Sequence, residues 1–231
     1  MRPCTNEEPN QIYKHYPGVL SFIIALLIPY GLDYTFRFFK SRFVTATIRP
    51  IPSLSSTWIE IPSLNSGWRA GQHVRIRIFT SSLGWLGWTE SHPFTIASAP
   101  VISRKQGRTV GDEGLILICK NAGGWTRKLY ETAKKSGYIE AGIAEGVDIG
   151  KNVAVMIEGP YSGPCHAIYA SYSGVVMMVG GSGITFALSI IQDLVQKDLQ
   201  AQSRVKVLEL VWMVTNPGPI HAPLWVSPFV D

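Results

Sequence analysis

A glycine-rich turn at Gly180–Thr185 is the feature of this sequence whose chemistry is easiest to name. It follows the continuous apolar run Val175–Val179 and precedes a helical pattern. Glycines let a backbone approach a phosphate, and the N–H groups at a helix start favour negative charge. Ser182 and Thr185 add hydroxyl donors. The turn predicts a nucleotide-phosphate site, although Phe186 breaks the usual dehydrogenase spacing; a turn that needs glycine for steric reasons alone is the alternative.

A second turn of this kind lies at Gly123–Thr126, between the apolar stretch Leu115–Lys120 and another helical pattern. The N–H groups of residues 124 to 126 could hold a further phosphate. An ordinary helix start with Thr126 as the N-cap explains the turn equally well. The helical pattern covers Thr126–Lys135, and Gly137 is the candidate C-cap.

A third candidate, Ser91–Ser98, places His92 beside Pro93 at the entry to a short strand. Proline has no backbone N–H, so Pro93 excludes a central position in a sheet ladder. A histidine beside a proline is more often structural than catalytic, so these residues alone assign no chemistry to the stretch.

The elements that position these turns fall into two groups. Short strands with alternating or continuous apolar residues, separated by Gly, Pro and Ser clusters, predict a sandwich or barrel between residues 43 and 157. They are Val44–Ile48, Thr57–Ile61, His73–Phe79, Leu115–Cys119 and Val153–Ile157.

After Ser173 the pattern becomes that of one βαβ unit. Its first strand, Val175–Val179, is typical of a strand buried on both faces, and its second strand is Val205–Val214. The helix between them is predicted to bury one face against the sheet. The apolar residues at helical spacing are Ile184, Leu188, Ile191, Leu194 and Val195.

The N-terminal part holds an apolar run, Val19–Ile28, of only ten residues, whereas a bilayer span takes about 20. Extension to Phe39 includes Asp33 and Arg37, which suits the last turns of a helix leaving a membrane. Basic residues follow the run, so the positive-inside rule places the bulk of the chain in the cytoplasm. A buried core helix is the alternative.

Composition excludes several classes of protein. The 231 residues carry a net charge of +5, with 16% charged residues against roughly 25% in ordinary domains, which argues against disorder. The cations are spread along the chain, so a nucleic-acid partner is not expected. Cys4, Cys119 and Cys165 are too few and too scattered for a disulfide framework or a metal site.

Five motifs together resemble the ferric reductase and NADPH oxidase transmembrane family, part of the ferredoxin-reductase superfamily. By the same resemblance, the Trp and Gly context at Gly84–Trp88 and the loop Gly181–Thr185 lean toward its fungal ferric-chelate reductases. The motifs, in the family's order, are Gly67–His73, His92–Thr95 with Ser98, Gly123–Thr126, Glu158–Pro164 and Gly180–Thr185. The resemblance implies an antiparallel Greek-key FAD-binding barrel followed by a truncated Rossmann-like NADPH-binding domain. The expected domains are a membrane-exit or anchor helix at 1–40, the barrel at 41–168 and the partial nucleotide domain at 169–231.

The resemblance also assigns roles to individual residues. It implies that Thr95 is the catalytic residue, with its hydroxyl near flavin N5 to orient the arriving hydride. The flavin-binding residues it implies are His92, Pro93, Phe94, Thr95 and Ser98, with Gly124, Trp125 and Thr126 at the pyrophosphate. Those implied for the nicotinamide nucleotide are Gly159, Pro160, Gly181, Ser182, Gly183, Ile184 and Thr185.

The function implied is a ferric-chelate reductase that passes electrons from NADPH to FAD, haem and ferric iron. Residues 19–39 would contact membrane lipid, and the cofactor domains would face the cytoplasm at the plasma membrane. None of the five histidines lies in the apolar run, so haem is not expected in this chain. The sequence also predicts a fragment of a longer reductase. The alternatives are a catalytically incomplete FAD-binding module, a superoxide-generating oxidase and a soluble ferredoxin-type reductase.

Overall fold

The computed structural model describes residues 17–84, 86–100, 114–141, 150–164 and 168–214. Their contacts divide the chain into two compact units, Met1–Ser41 and Arg42–Asp231. A single helix makes up the described part of the first unit, and the strands and the other two α-helices belong to the second.

Helix α1 spans Pro17–Phe39 and is continuous through Pro29. By length and composition, residues 18–39 are able to cross a membrane, and this stretch is 0% buried. A helix in a protein core, the alternative from the sequence, would have its apolar side chains covered. Arg37 Nε donates to Asp33 Oδ2 at 2.7 Å, so the two charged side chains of the helix pair one turn apart.

Six strands form the barrel, in the circular order β1, β2, β5, β4, β3, β6. The ladders of β1 with β2, β2 with β5, β3 with β4 and β3 with β6 are antiparallel, and the last has a register shift between His73 and Arg75. A bridge between Ile96 and Leu117 brings the two ends of the sheet together, which confirms the predicted antiparallel Greek-key barrel. The strands are β1 Ser41–Ile51, β2 Ser56–Ile61, β3 His73–Phe79, β4 His92–Thr95, β5 Leu115–Lys120 and β6 Lys151–Tyr161.

Alternation of apolar and polar residues places the barrel core. In β3 the side chains of Val74, Ile76 and Ile78 are buried, whereas Arg75 and Arg77 are half-buried on the other face. This is the two-residue period predicted for a strand with one face in the core. The same core takes apolar side chains from β1, β2, β5 and β6.

Helix α2 spans Gly124–Ala141 and packs Leu129 and Ala133 into the barrel core. It is longer at both ends than the Thr126–Lys135 pattern predicted. Gly137 does not end it, since the roughly 1 kcal/mol cost of an interior glycine does not stop a helix whose next residues are compatible with it. Thr126 is therefore inside the first turn, and its prediction as the N-cap is wrong.

The βαβ unit consists of β7 Gly174–Gly180, α3 Ile184–Asp198 and β8 Val207–Met213, with β7 and β8 parallel. A 3₁₀ turn at Gly181–Gly183 joins β7 to α3. The unit confirms the predicted strand, glycine turn, helix and strand.

Two details of the βαβ unit differ from the sequence prediction. Strand β7 is covered on one face alone: Val175 and Met177 pack toward α3, whereas Val176 and Met178 are 59% and 69% exposed. The buried residues of α3 include Ala187, Ile190 and Leu194, and Val195 is exposed. Ser189 of α3 contacts the barrel instead of the sheet, and Val195 lies outside both contacts.

Cys119 provides a test of the barrel core. Its side chain is buried in β5, and desolvation raises the pKa of the thiol well above its usual range. Because thiolate is the reactive form, we expect a Cys4→Ser, Cys165→Ser variant to resist a thiol reagent at neutral pH and to react once unfolded in denaturant. The reaction is measured by the absorbance of the chromophore that the thiol reagent releases when a cysteine reacts with it. Rapid labelling of the native variant would contradict the assigned register of β5.

Candidate functional site

Trp125 joins two of the sequence motifs. It lies in the first turn of α2, is 7% exposed and packs against strand β4. Its ring centroid is 4.3 Å from that of His92 and 6.2 Å from that of Phe94. The turn at Gly123–Thr126 and the stretch at His92–Thr95 therefore form one surface, as a shared ligand would require.

The start of α2 has the local geometry of a partial capping box. The hydroxyl of Thr126 accepts hydrogen bonds from the N–H groups of Gly123, at 2.9 Å, and Ala122, at 3.1 Å. A third helical residue that reaches back to the N-cap N–H is half of that motif. An added Cβ at Gly123 or Gly124 would meet no atom within 4 Å, so the backbone here is open to a ligand.

His92 pairs with Glu90, two residues earlier in the chain. Its Nε2 lies 3.0 Å from Glu90 Oε2, and both side chains are partly exposed. The carboxylate and the Trp125 ring together set the orientation of the imidazole. His92 therefore stands at the edge of the surface that Trp125 and Phe94 form.

A cleft of about 500 Å³ opens beside β4. Strand pairing places Thr95 directly opposite His73 at one end of β3 and β4, and both line the cleft. The remaining lining residues come from four segments of the chain and are Gly71, Pro93, Phe94, Ser162, Gly163 and Phe186. The cleft is of the size and mixed polarity expected of a small-molecule site.

The end of β6 forms one wall of this cleft. Gly159 and Gly163 both have φ of +128°, a conformation that glycine adopts without strain. Gln72 Nε2 donates to Ser162 O at 2.8 Å and ties this wall to the loop before β3. Gly159 and Pro160 lie within β6, and the cleft is lined by their neighbours Ser162 and Gly163 instead.

The glycine turn before α3 presents open backbone. Gly181 has φ +50°, and an added Cβ at Gly180 or Gly181 would meet no atom within 4 Å. Trp212 Nε1 donates to Gly181 O at 2.9 Å, and Thr185 Oγ1 donates to Ser182 O at 3.1 Å. These bonds hold the carbonyl groups of Gly181 and Ser182 in place. Ile184 begins the helix, and Gly183 carries regular right-handed backbone.

Ser98 lies inside the barrel wall. It is 2% exposed, its hydroxyl donates to Gly114 O at 3.2 Å and accepts from Ile116 N–H at 3.1 Å. Its carbonyl accepts from Trp68 Nε1 at 3.0 Å. These bonds connect the end of β4 to β5, so in this structure Ser98 braces the strand that carries His92–Thr95.

Sequence reasoning missed five residues of the cleft: Gly71, His73, Ser162, Gly163 and Phe186. Four of them lie in the motifs Gly67–His73 and Glu158–Pro164, so their signal was in the sequence. Phe186 stood out in the sequence as a departure from glycine spacing, and its position in the cleft depends on how α3 packs.

Comparison with protein families identifies both halves of the second unit. Residues 56–165 match an FAD-binding domain, and residues 172–222 match the ferric reductase NAD binding domain. The chain is 26% identical to ferric reduction oxidase 2 of Arabidopsis thaliana, over 86% of this chain and 26% of that protein. It is 30% identical to the probable metalloreductase AIM14 of Candida tropicalis, over 89% of this chain and 31% of that protein.

A ferredoxin NADP+ reductase from Neisseria gonorrhoeae, with bound FAD and NADP, is a structural neighbour at 17% identity and a TM-score of 0.47. The alignment covers 76% of this chain and 58% of that one.

The Greek-key barrel, the βαβ unit and the two domain matches define a flavin-dependent reductase with a nicotinamide-nucleotide domain. Within that class, the chain belongs to the ferric reductase family. It spans about a quarter of the length of the curated relatives it matches.

The residues of the site fit both FAD and a nicotinamide nucleotide. Within the described residues the buried indole N–H of Trp125 has no hydrogen-bond partner, so an acceptor atom on a ligand would satisfy it. The open backbones at Gly123–Gly124 and at Gly180–Gly181 are suited to phosphate oxygens. One ligand would lie along β4 and α2, and the other would lie on the glycine turn.

A Gly180→Val variant tests the glycine turn. Gly180 has extended backbone, with φ −116° and ψ 137°, which valine adopts readily, so the fold should be retained. The new side chain stands in the space a phosphate needs, and we expect the affinity for NADPH to fall about tenfold or more. Nucleotide titration by calorimetry measures this change.

Gly174→Val is the matched control, because it makes the same change at the other end of β7, where the added Cβ would meet only Val207 O, at 4.0 Å. Unchanged NADPH affinity in Gly180→Val would remove the turn from the nucleotide site.

Proposed function

We propose that this chain carries out the flavin step of a ferric-chelate reductase, in which electrons pass from NADPH to FAD and then through haem to ferric iron. The observation that carries the proposal is the single cleft that joins Phe94 and Thr95 of the barrel to Phe186 of the nucleotide unit. A flavin on β4 and a nucleotide on the glycine turn would meet there. The names of the relatives, ferric reduction oxidases and a metalloreductase, support iron as the acceptor.

We assign the flavin to the surface that β4 and α2 share. His92, Pro93, Phe94 and Thr95 would hold the ring system and its ribityl chain, with Ser98 bracing the strand from inside. The first turn of α2, at Gly124–Thr126, would bind the pyrophosphate through backbone N–H groups. When bound, FAD accepts a hydride and gives up its electrons singly, a conversion that protein side chains cannot perform.

The chain's own residues set the geometry of hydride arrival. Thr95 presents a hydroxyl at the end of β4, directly across from His73. Phe94 and Phe186 contribute apolar walls to the cleft, and such walls exclude water from the reacting groups. In this assignment Thr95 orients the hydride acceptor by a hydrogen bond, and the aromatic walls hold the two rings face to face.

The nucleotide is assigned to the turn Gly181–Gly183 and the start of α3, with Ile184 and Thr185. The fixed turn leaves its outer backbone free for phosphate oxygens, while Gly159 and Pro160 support the wall where the nicotinamide would lie. NADPH, in preference to NADH, is the proposed hydride donor.

Helix α1 is proposed to lie in the plasma membrane, with the second unit in the cytoplasm. Its length and apolar composition support a span, and the pairing of Asp33 with Arg37 lowers the cost of two charges in a lipid-facing helix. Haem and the ferric-chelate site are assigned to segments of the reductase outside this sequence, in keeping with the greater length of the relatives.

Anaerobic flavin reduction tests the function. The 231-residue chain in detergent micelles should bind added FAD, and NADPH should bleach the flavin absorbance faster than NADH does. A Thr95→Val variant should bind FAD equally well, by flavin fluorescence, and be reduced about tenfold more slowly because the orienting hydroxyl is lost.

Thr95→Ser keeps the hydroxyl and serves as the matched control, with near wild-type kinetics expected. A chain that binds FAD and is never reduced would be the catalytically incomplete module, and superoxide formation in air would favour the oxidase alternative. Equal rates in Thr95→Val would remove the proposed role of this side chain.

Membrane insertion has its own test. The chain should sediment with lipid vesicles and resist alkaline carbonate, whereas a Leu26→Asp, Leu27→Asp variant should be released, since each Asp costs about 3 kcal/mol near a helix centre. Leu54→Asp, at an exposed leucine outside the helix, is the control and should stay bound. Release of the wild-type chain by carbonate would contradict the span.

A further inference from the structure

Helix α3 turns a second face toward the barrel. Phe186, Ser189 and Gln192 recur every three residues, so they lie along one side of the helix. All three contact the barrel or line the cleft beside it. These three residues are called the docking stripe below. The stripe is distinct from the face of Ala187, Ile190 and Leu194 that packs on the β7–β8 sheet.

Two hydrogen bonds fix the stripe to barrel backbone. The Ser189 hydroxyl accepts from the N–H of Gly71 at 2.9 Å and donates to Phe186 O at 2.8 Å, and Ser189 is 0% exposed. Gln192 Oε1 accepts from the N–H of Ala99 at 3.0 Å. The two acceptors therefore bind loops at two separate places on the barrel, before β3 and after β4.

Phe186 extends the same contact into the cleft. A Cβ built on Gly71 would lie 2.6 Å from the Phe186 ring, so the glycine, with φ +81°, leaves the space that the ring fills. Phe186 also lines the cleft together with Thr95. The stripe thus runs from the cleft outward along the barrel wall.

The position of α3 determines the position of the glycine turn. The helix begins at Ile184, directly after the turn Gly181–Gly183, and a helix is stiff over so short a length. Attachment at Ser189 and Gln192, about 4.5 Å apart along the axis, restricts both sliding and rotation of α3. A ligand on the turn is held at a fixed distance from the cleft as a result.

We propose that the docking stripe is a positioning element for hydride transfer, and that Ser189 and Gln192 are positioning residues; this inference rests on the proposed function. In the reaction, a C–H bond of the reduced nicotinamide breaks and an N–H bond forms on the flavin. The nucleotide loses two electrons and the flavin gains them. A displacement of about 1 Å between reacting groups can slow such a step about a hundredfold.

Gln192→Met is the sharpest variant. Gln192 is exposed, so the fold should tolerate methionine, which keeps the length of the side chain and removes the acceptor. In the full chain with FAD we expect amide hydrogen exchange at Ala99 to accelerate about tenfold, because its N–H loses its partner. Flavin reduction by NADPH should slow about tenfold, with the affinities for FAD and NADPH unchanged.

Two controls separate positioning from general damage. Gln192→Glu retains an oxygen acceptor and should restore both exchange protection and reduction rate. Gln196→Met makes the same exchange one turn later on α3, where the amide oxygen is buried without a hydrogen-bond partner among the described residues, and should match the wild type. Ser189→Ala should reproduce the Gln192→Met effect, with faster exchange at Gly71.

The results distinguish the inference from the function it rests on. Unchanged exchange at Ala99 in Gln192→Met, or faster exchange with an unchanged reduction rate, overturns the positioning role alone. A wild-type chain that neither nucleotide reduces overturns the proposed function and the positioning role together.

Discussion

The one-sided pairing of β4 determines where this protein can bind a ligand. Strand β4 forms a ladder with β3, whereas no ladder joins it to β5 within the described residues: the residues after β4 reach β5 through a bridge at Ile96 and hydrogen bonds at Ala97 and Ser98. Pro93 removes one donor from the strand, which is compatible with an incomplete ladder. The barrel is therefore open along His92–Thr95, and Trp125 of α2 covers part of the opening. What remains uncovered is the side of β4 that borders the cleft.

The barrel and the βαβ unit both form hydrogen bonds to the short segment that follows β4 beside the cleft. Ser98 ties the end of β4 to β5 from inside, and Gln192 binds the next N–H, that of Ala99, from outside. The segment Ser98–Ala99 is therefore hydrogen-bonded both to the barrel and to helix α3. The turn at Gly71 has the same double role, since it borders the cleft and its N–H donates to Ser189 of α3. The same few backbone amides therefore determine both how the βαβ unit packs on the barrel and how the cleft is shaped.

The sequence predicted those parts of the fold that depend on local pattern. The alternation of Val74, Ile76 and Ile78 predicted a half-buried strand, and the order of apolar run, glycine turn and helix predicted the βαβ unit; both are confirmed. The burial of β7 on both faces was predicted wrongly, and the contact of α3 with the barrel was not predicted, because both depend on which other elements pack there. Phe186 shows the same limit for the site: its type was visible, whereas its place in the cleft follows from its contact with Gly71, 115 positions earlier in the chain.

That long-range construction couples ligand binding to folding. The cleft draws its walls from residues near 71, 94, 162 and 186, so no partly folded form of the second unit retains all of them. A ligand that contacts these walls binds the native state alone, and mass action then adds about 1.4 kcal/mol of stability for each tenfold excess of free ligand over its Kd. Cellular supply of the ligand would accordingly govern how much of the chain survives quality control, as well as how much of it is active.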